Sequence, residues 1–494
     1  MPGPPPPSPC PPPCGAHAHA PKGTVLMVTD FFFPNTGGVE QHVYHLSQCL
    51  MEAGYRLVVL THAYTPSTTT TSLKIGARDG GAHLPGRSNT TRGGVRYLTN
   101  GLKVYYIPKR AFYKQNVFPT LFASFRLIRT ILVRERVDVV HCHQAFSVLA
   151  HEATLCARTL AMPVVFTDHS LFGFSDTSSI LTNKLLKFTL CDASAVICVS
   201  HTSKENTVLR ACCKPTSVFV VPNAVDATRF TPPASNEPAQ EGIITVVVVS
   251  RLVYRKGADL LRYVIPIVCA RHARVRFIIA GDGDKRPSLE QAVRAHGLEG
   301  RVTFTGALEH SAVMKVMRSG TVFLNCSLTE AFCMAIVEAA ACGLVVVSTD
   351  VGGVREVLPP PLLTLSASTH PESIADALTA AMARVHDLET GEYVGHRVPR
   401  LSKQELHEFV RQSYDWRHVA SRTEVVYAKA CRQASSSDLL ERLQRYALCG
   451  PVAGPIFACV AVVAHMYACF LEWCLPACSI EAARTYAPTT TTVS

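Results

Sequence analysis

Apolar positions along the chain fall into two alternating rhythms, separated by polar breaks. Thr24-Val25-Leu26-Met27-Val28-Thr29 is a continuous apolar run, the pattern of a strand covered on both faces. It ends in Asp30-Phe31-Phe32-Phe33-Pro34, followed by Asn35-Thr36-Gly37-Gly38-Val39. The spacing then turns helical, with Val39, Val43, Leu46 and Leu50 on one face and Gly54 as the stop. Leu57–Leu60 is the next strand. Strand, glycine loop, helix and strand make a βαβ unit, which predicts a parallel sheet.

Thr65–Gly94 breaks this rhythm with Thr, Ser, Gly and Arg, and is expected to be a surface insertion. Strands resume at Val137–His141, Val164–Thr167, Ala195–Ser200 and Val218–Val221. The polar stretch Thr231–Gly242, with three prolines, has the composition of a linker. A second alternation follows, with strands at Ile243–Ser250, Val275–Ala280, Val302–Phe304, Val322–Asn325 and Leu344–Ser348. The predicted architecture is α/β, with two Rossmann-like domains, 23–230 and 243–400, facing across a cleft. Ligands in such sheets sit at the carboxyl ends of the strands.

Helices are expected over 401–446, the main one being Gln404–Arg432 with Trp416. Val452–Leu471 is apolar, with His465 its only ionisable side chain, and is long enough to cross a hydrocarbon core. Trp473 sits at its edge, Arg442 and Arg445 precede it, and Glu472 follows it. This predicts a transmembrane helix over 452–471, a short tail over 472–494, and globular domains on the cytosolic side. Met1–Lys22 is mostly proline and lacks the apolar core of a signal peptide, so a disordered extension is expected.

Composition adds limits. The 494 residues exceed one ordinary core. The net charge of +11 comes without a long Lys/Arg block, which suits diphosphates or an anionic lipid surface better than nucleic acid. Most of the 19 cysteines lie in apolar runs, such as Cys191, Cys198, Cys269 and Cys342, without a paired Cys-x-x-Cys framework. Buried thiols in a reducing compartment are expected.

The strongest chemical constellation is Ser327-Leu328-Thr329-Glu330-Ala331-Phe332, continuing to Glu338. A strand ends at Asn325 and a helix is expected from near Glu330 to Ala341, so free amides at a helix start face the strand ends, where they attract phosphate. Glu330 is equally well explained as a favourable first-turn acid. Glu338, in an otherwise apolar helix, needs a partner if buried. Arg251-Leu252-Val253-Tyr254-Arg255-Lys256-Gly257 places cations after a strand, fitting a diphosphate, though a solvated loop explains them too. Gly281 and Gly283 form a weak Gly-x-Gly after another strand, and Gly37-Gly38 offers amides at the first helix entrance. His169, in Thr167-Asp168-His169-Ser170, stands where it can meet a sugar hydroxyl, or serve as a satisfied structural histidine.

Together, over roughly Thr24–Arg432, these residues resemble the retaining family-4 glycosyltransferases of GT-B fold. The pattern is carried by Glu330-x7-Glu338, Arg251 with Lys256, and Gly37-Gly38. The stretches Thr167–Phe174, Ser200–Arg210 and Ser327–Ala340 most resemble the branch that opens GPI-anchor synthesis. The resemblance implies transfer of N-acetylglucosamine from UDP-GlcNAc to phosphatidylinositol, with retention and without a metal or other cofactor. It implies a single-pass protein of the endoplasmic reticulum membrane working with other subunits. It implies that Arg251 and Lys256 hold the diphosphate, that Glu330 and His169 contact the sugar, and that Glu338 holds the ribose. Gly37 and Gly38 would cap the phosphate, with Gly281, Gly283 and Phe332 also in the donor site. Asp284 and Arg355 stand where the family usually has proline. The alternatives are another retaining hexosyltransferase on a lipid, such as a phosphatidylinositol mannosyltransferase, or a non-catalytic protein of the complex. An oxidoreductase using nicotinamide would need Gly-x-Gly-x-x-Gly after the first strand, which Thr29–Gly38 lacks.

Overall fold

The computed structural model describes residues 21–35, 37–64, 92–98, 101–113, 115–171, 177–211, 213–233, 242–390, 402–434 and 439–484. The first lobe runs β1 (Thr24–Val28), α1 (Gly38–Glu52), β2 (Arg56–His62), β3 (Gly94–Tyr97), β4 (Lys103–Ile107), β5 (Ala111–Tyr113) and β6 (Asn116–Val117). It continues with α2 (Phe125–Arg134), β7 (Val139–His143), α3 (Val148–Thr159), β8 (Val164–Asp168), α4 (Thr177–Leu190), β9 (Ala195–Cys198), α5 (His201–Ala211) and β10 (Val218–Val220). Its sheet has the order β10-β9-β8-β7-β1-β2-β4-β3, parallel except for β3 against β4, while β5 and β6 form a separate hairpin.

The second lobe runs β11 (Ile244–Val249), α6 (Ala258–Arg271), β12 (Val275–Ala280), α7 (Arg286–Ala295), β13 (Val302–Gly306), α8 (His310–Arg318) and β14 (Val322–Asn325). It closes with α9 (Met334–Ala341), β15 (Val345–Thr349), β16 (Leu363–Ser366) and α10 (Pro371–Thr390). Its parallel sheet has the order β13-β12-β11-β14-β15-β16. Each sheet therefore reverses its strand order once, at β1/β7 in the first lobe and at β11/β14 in the second. A parallel sheet leaves a crevice at that point, because the connections diverge to opposite faces.

The apolar runs read from the sequence are strands buried on both faces; all of β1, β7, β8, β9 and β14 is buried. Cys198, Cys269 and Cys342 are buried free thiols. Five strands escaped notice: β3, β4, β5, β6 and β16. β4 alternates Lys103-Val104-Tyr105-Tyr106-Ile107 because one side faces helix and the other is half open, and short β16 follows a proline cluster. The expected insertion Thr65–Gly94 and extension Met1–Lys22 lie largely outside the described residues, but Gly94 itself opens β3.

The long helix expected at Gln404–Arg432 is two: α11 (Lys403–Ser413) and α12 (Trp416–Ala434). Ser402 and Glu405 close a capping box on α11, and Asp415 accepts the Arg417 amide at 2.9 Å to start α12. The break turns the chain back. α12 packs on the first lobe, where the Tyr427 hydroxyl meets His141 Nδ1 at 2.7 Å. The first lobe is thus completed by residues far down the chain.

α13 (Leu439–Ala447) leads to α14 (Ala453–Cys474), one helix long and apolar enough to cross a membrane. The first lobe covers one face of it. Ala461, Ala464, Ala468 and Leu471 join the core that holds Leu149 and Phe166. Arg129 pairs with Glu472 at its far end. The opposite face, with Ile456, Val463, Met466, Phe470 and Trp473, is exposed. The helix expected over 452–471 is therefore half covered by the first lobe. Small residues at 461, 464 and 468 let it approach α3 closely, and their spacing keeps them on one side.

Candidate active site

Both strand-order reversals present their loops to the same cleft. β11 exits into Arg251–Lys256, and β14 into Cys326–Cys333. Lys256 Nζ forms an ion pair with the Glu330 carboxylate, which also accepts the Ser327 hydroxyl at 2.8 Å. Glu330 is 9% exposed. Burial opposes the charge on Lys256, but the Glu330 carboxylate outweighs it and raises the ammonium pKa above its usual value.

The helix expected from Glu330 begins later, at Met334. Cys333 just before it is left-handed, with φ 71°. The reason is that the intervening backbone is engaged across the loops. The Gly353 amide donates to the Glu330 carbonyl at 2.9 Å, and the Ser200 hydroxyl of the first lobe donates to the Ala331 carbonyl at 2.7 Å. Phe332, expected at the donor, is instead a core residue, 4% exposed and edge-on to Tyr414. Glu338 is buried in α9, and its carboxyl makes no hydrogen bond to the described residues; burial pushes it up to about 7. It is an acceptor looking for a donor.

Gly281 and Gly283 serve close packing of loops. A methyl group on Gly281 would fall 1.8 Å from the Ser250 carbonyl oxygen, and one on Gly283 would fall 2.3 Å from that of Leu252. They hold the Arg251 loop in place, and their packing leaves their α-carbons facing protein. Arg355, one departure from the family pattern, is exposed and pairs with Asp350. Asp284, the other, lies in the loop before α7.

The first lobe meets this loop closely. Gly37 and Gly38 open α1, and a methyl group on Gly38 would sit 3.6 Å from Met334 Sδ, at the first turn of α9. The starts of α1 and α9 therefore face each other, and both present first-turn amides. Glu40 lies buried in the first turn of α1. Burial raises its pKa, and the charge of exposed Arg251 across the cleft partly offsets this. Sequence reasoning missed Glu40, because an acid in a first turn is ordinary.

His169 follows β8. Its Nε2 lies 3.4 Å from Nδ1 of His143, at the end of β7, and its ring meets His42 of α1 edge-on at 4.6 Å between centroids. His42 Nδ1 donates to Asn223 Oδ1 at 2.9 Å, and its ring contacts Trp416 of α12. Burial lowers the pKa of all three histidines, that of His42 to about 4, so they are neutral near pH 7. His42, His143 and His169 each bring a ring nitrogen within 4.8 Å of the others, and could hold a metal ion. Asp168 is occupied elsewhere, accepting the Ser170 amide at 2.9 Å and the Thr207 hydroxyl at 3.0 Å beside Arg210. His42 and His143 were missed because neither stands in a recognisable spacing. A depression of about 460 Å³ beside β10, lined by His201, Lys204 and Arg422, lies away from these groups.

Lys256 and Glu330 of one lobe thus pair beside the start of α9, which Gly38 of the other lobe approaches, while His169 clusters with His42 and His143. Residues 87–176 match the family model described as PIGA (GPI anchor biosynthesis), and residues 244–384 match that of glycosyl transferases group 1. The chain is 48% identical over 463 residues to a phosphatidylinositol N-acetylglucosaminyltransferase subunit of Arabidopsis thaliana, covering 94% of each. It is 47% identical to the protein of the same name in Homo sapiens, covering 93% of this chain and 87% of the relative. In fold it is similar to sucrose-phosphate synthase of Thermosynechococcus elongatus, with a TM-score of 0.63 and 18% identity over 83% of this chain and 99% of that one. Anabaena Alr3699/HepE, solved with UDP and glucose, aligns with a TM-score of 0.58 and 17% identity over 82% of this chain and 99% of that one. The chain is a glycosyltransferase of GT-B fold and belongs to the PIGA family of phosphatidylinositol N-acetylglucosaminyltransferase subunits.

Proposed function

We propose that this enzyme transfers N-acetylglucosamine from UDP-GlcNAc to phosphatidylinositol with retention, the first step of GPI-anchor biosynthesis. The observation that carries the reading is the Lys256–Glu330 pair, set opposite the glycine entrance of α1 in a chain nearly half identical to its named relatives.

The chemistry follows from charge. As the sugar–phosphate bond breaks, negative charge gathers on the UDP diphosphate. Lys256 and Arg251 lie where they can neutralise it, and the amides at the starts of α1 and α9 add a fixed positive field. Lys256 stays protonated because Glu330 holds it so. Glu330 bonds the sugar, and Glu338 takes the two ribose hydroxyls it otherwise lacks. His169 is neutral and can bond a sugar hydroxyl from the acceptor lobe. The departing phosphate oxygen takes the inositol hydroxyl proton on the same face that the inositol oxygen attacks, so configuration is kept. No metal is required in this scheme, since protein cations carry the leaving charge.

The protein works in a multi-subunit complex at the endoplasmic reticulum membrane, with its lobes on the cytosolic side and the exposed apolar face of α14 against the bilayer. Membranes containing the complex, given labelled UDP-GlcNAc and phosphatidylinositol, should form N-acetylglucosaminyl-phosphatidylinositol. Labelled mannolipid formed only from a mannose donor would overturn the reading.

A further inference from the structure

An apolar groove on the first lobe is separate from the cleft residues described above. It measures about 220 Å³ and is lined by Pro119, Leu121, Val148, Leu155, Leu185 and Phe188. Three polar side chains also border it, Thr120, His151 and Glu152, and all are already satisfied. His151 bonds the Thr189 hydroxyl and the Ala145 carbonyl, each at 2.8 Å. Glu152 accepts Lys109 Nζ at 2.9 Å, the Thr120 amide at 3.0 Å and the Thr120 hydroxyl at 2.6 Å. With its polar groups occupied, what the groove still offers is apolar contact. Pockets for whole small-molecule ligands run to about 300–1,000 Å³, so this one suits a segment of chain.

Its surroundings select the occupant. Leu121 is 44% exposed and Leu185 37%, at the mouth; Phe112 and Phe118 of the β5–β6 hairpin, stacked edge-on at 5.5 Å, are 73% and 60% exposed nearby in the chain. The walls are continuous with α14. Phe122, next to Leu121, meets Tyr467, and Phe188 meets Phe457 with centroids 5.0 Å apart. The groove therefore adjoins the membrane segment and shares its exposed apolar surface. Exposed Arg110 precedes the hairpin and supplies positive charge for a phosphodiester. At this same end, Val148 begins α3, and its amide is held at 2.9 Å by Asp30, just past β1, whose carboxylate also accepts the amide of Val117 in β6. That end lies at the β1/β7 reversal, where the cleft opens.

We propose that this groove seats an acyl chain of the diacyl phospholipid acceptor, drawn from the bilayer beside α14, so that the headgroup is delivered to the carboxyl ends of β1 and β7. This deepens the function proposed above and rests on it.

The test uses the intact complex in detergent or liposomes, with Leu121→Arg and Leu185→Arg. Both positions are partly exposed, so the fold tolerates the change. For native enzyme, kcat/KM is measured with dipalmitoyl and with dihexanoyl phosphatidylinositol. In each variant the long-chain to short-chain ratio should fall at least tenfold, while Leu121→Met keeps it. Phosphatidylinositol with a diazirine on the acyl chain should label peptides from 115–125 or 148–155. An unchanged ratio together with labelling elsewhere overturns the groove. Reduced membrane binding with a normal ratio per bound enzyme also overturns it, in favour of a bilayer contact. Native enzyme that glycosylates neither lipid refutes instead the function on which the inference rests.

Discussion

Lys256 and Glu330 form an ion pair although they leave different strands, β11 and β14, that are neighbours only because the strand order reverses between them. The pair is partly enclosed, with side chains 28% and 10% exposed. It presents a fixed cation, and the Ser327 hydroxyl donates to the same carboxylate oxygen that Lys256 meets.

Lys256→Ala is expected to lower kcat by at least about 10²–10³-fold, the range for removing one preorganised charge from a developing anion. The protein stays folded, since the Ser327 hydroxyl still donates to the Glu330 carboxylate. Turnover at saturating donor, alongside a melting curve, checks both halves. Full activity in a folded Lys256→Ala protein is incompatible with the mechanism.

Glu338 makes stability depend on pH. Its folded carboxyl titrates at about 7, raised by burial from the usual 4.5. Below pH 4.5 it is protonated folded and unfolded alike. Between 4.5 and 7 the unfolded chain has released the proton and the folded one keeps it, so stability falls as pH rises; above 7 the loss is complete. Glu338→Gln removes this term, worth roughly 3 kcal/mol at most. The ligand-free variant should melt close to native at pH 4.5 and above it at pH 8, while its KM for UDP-GlcNAc rises tenfold or more. A variant less stable than native at pH 8 would contradict the reading.

How far the sequence carried these conclusions differs between strands and loops. Continuous apolar runs such as Thr24–Val28 and Val322–Asn325 were legible, because burial on both faces leaves one composition. That Lys256 and Glu330 stand at the ends of neighbouring strands was partly legible, since the order of charged residues after strands is local information, while their pairing is set by the strand order. Phe332 misled, because an aromatic beside a site motif looks the same whether its ring faces ligand or Tyr414. His42 and His143 stayed hidden for a related reason. Their meeting with His169 depends on β1, β7 and β8 being neighbours, which is set by packing. The helix start at Met334 was misplaced because Ser200 and Gly353, far away in the chain, take up the backbone before it.

Transfer should survive metal removal. The diphosphate is expected to be met by Arg251, Lys256 and peptide amides, while the histidines stay metal-free and neutral. Dialysis of the complex against EDTA, followed by assay in chelator, should leave kcat within about twofold of the untreated enzyme. Metal analysis of the active protein should give well under one equivalent. A tightly held equivalent of zinc, whose loss abolishes transfer and whose return restores it, would instead assign His42, His143 and His169 as ligands.

Asp192 anchors α13, which leads into α14, through charge. It accepts Arg442 Nε at 2.8 Å, Arg445 at 2.9 Å and the Tyr446 hydroxyl at 3.1 Å, and Arg158 lies 3.7 Å away. Asp192, Arg158 and Arg442 are all nearly fully buried, so the single carboxylate compensates two enclosed cations. Asp192→Ala strips those cations of their carboxylate in a poorly solvated site, which costs about 3–5 kcal/mol. Arg445 is 31% exposed, and replacing it removes one cation from an already positive cluster. Arg445→Ala should therefore cost less than about 1 kcal/mol. Thermal denaturation in detergent should separate the two variants clearly. Asp192→Ala should also let protease cut ahead of α14 in the folded state, because α13 docks on the first lobe through these contacts. Equal melting temperatures for Asp192→Ala and Arg445→Ala would show that apolar packing of α14 against α3, and not the buried carboxylate, holds the two together.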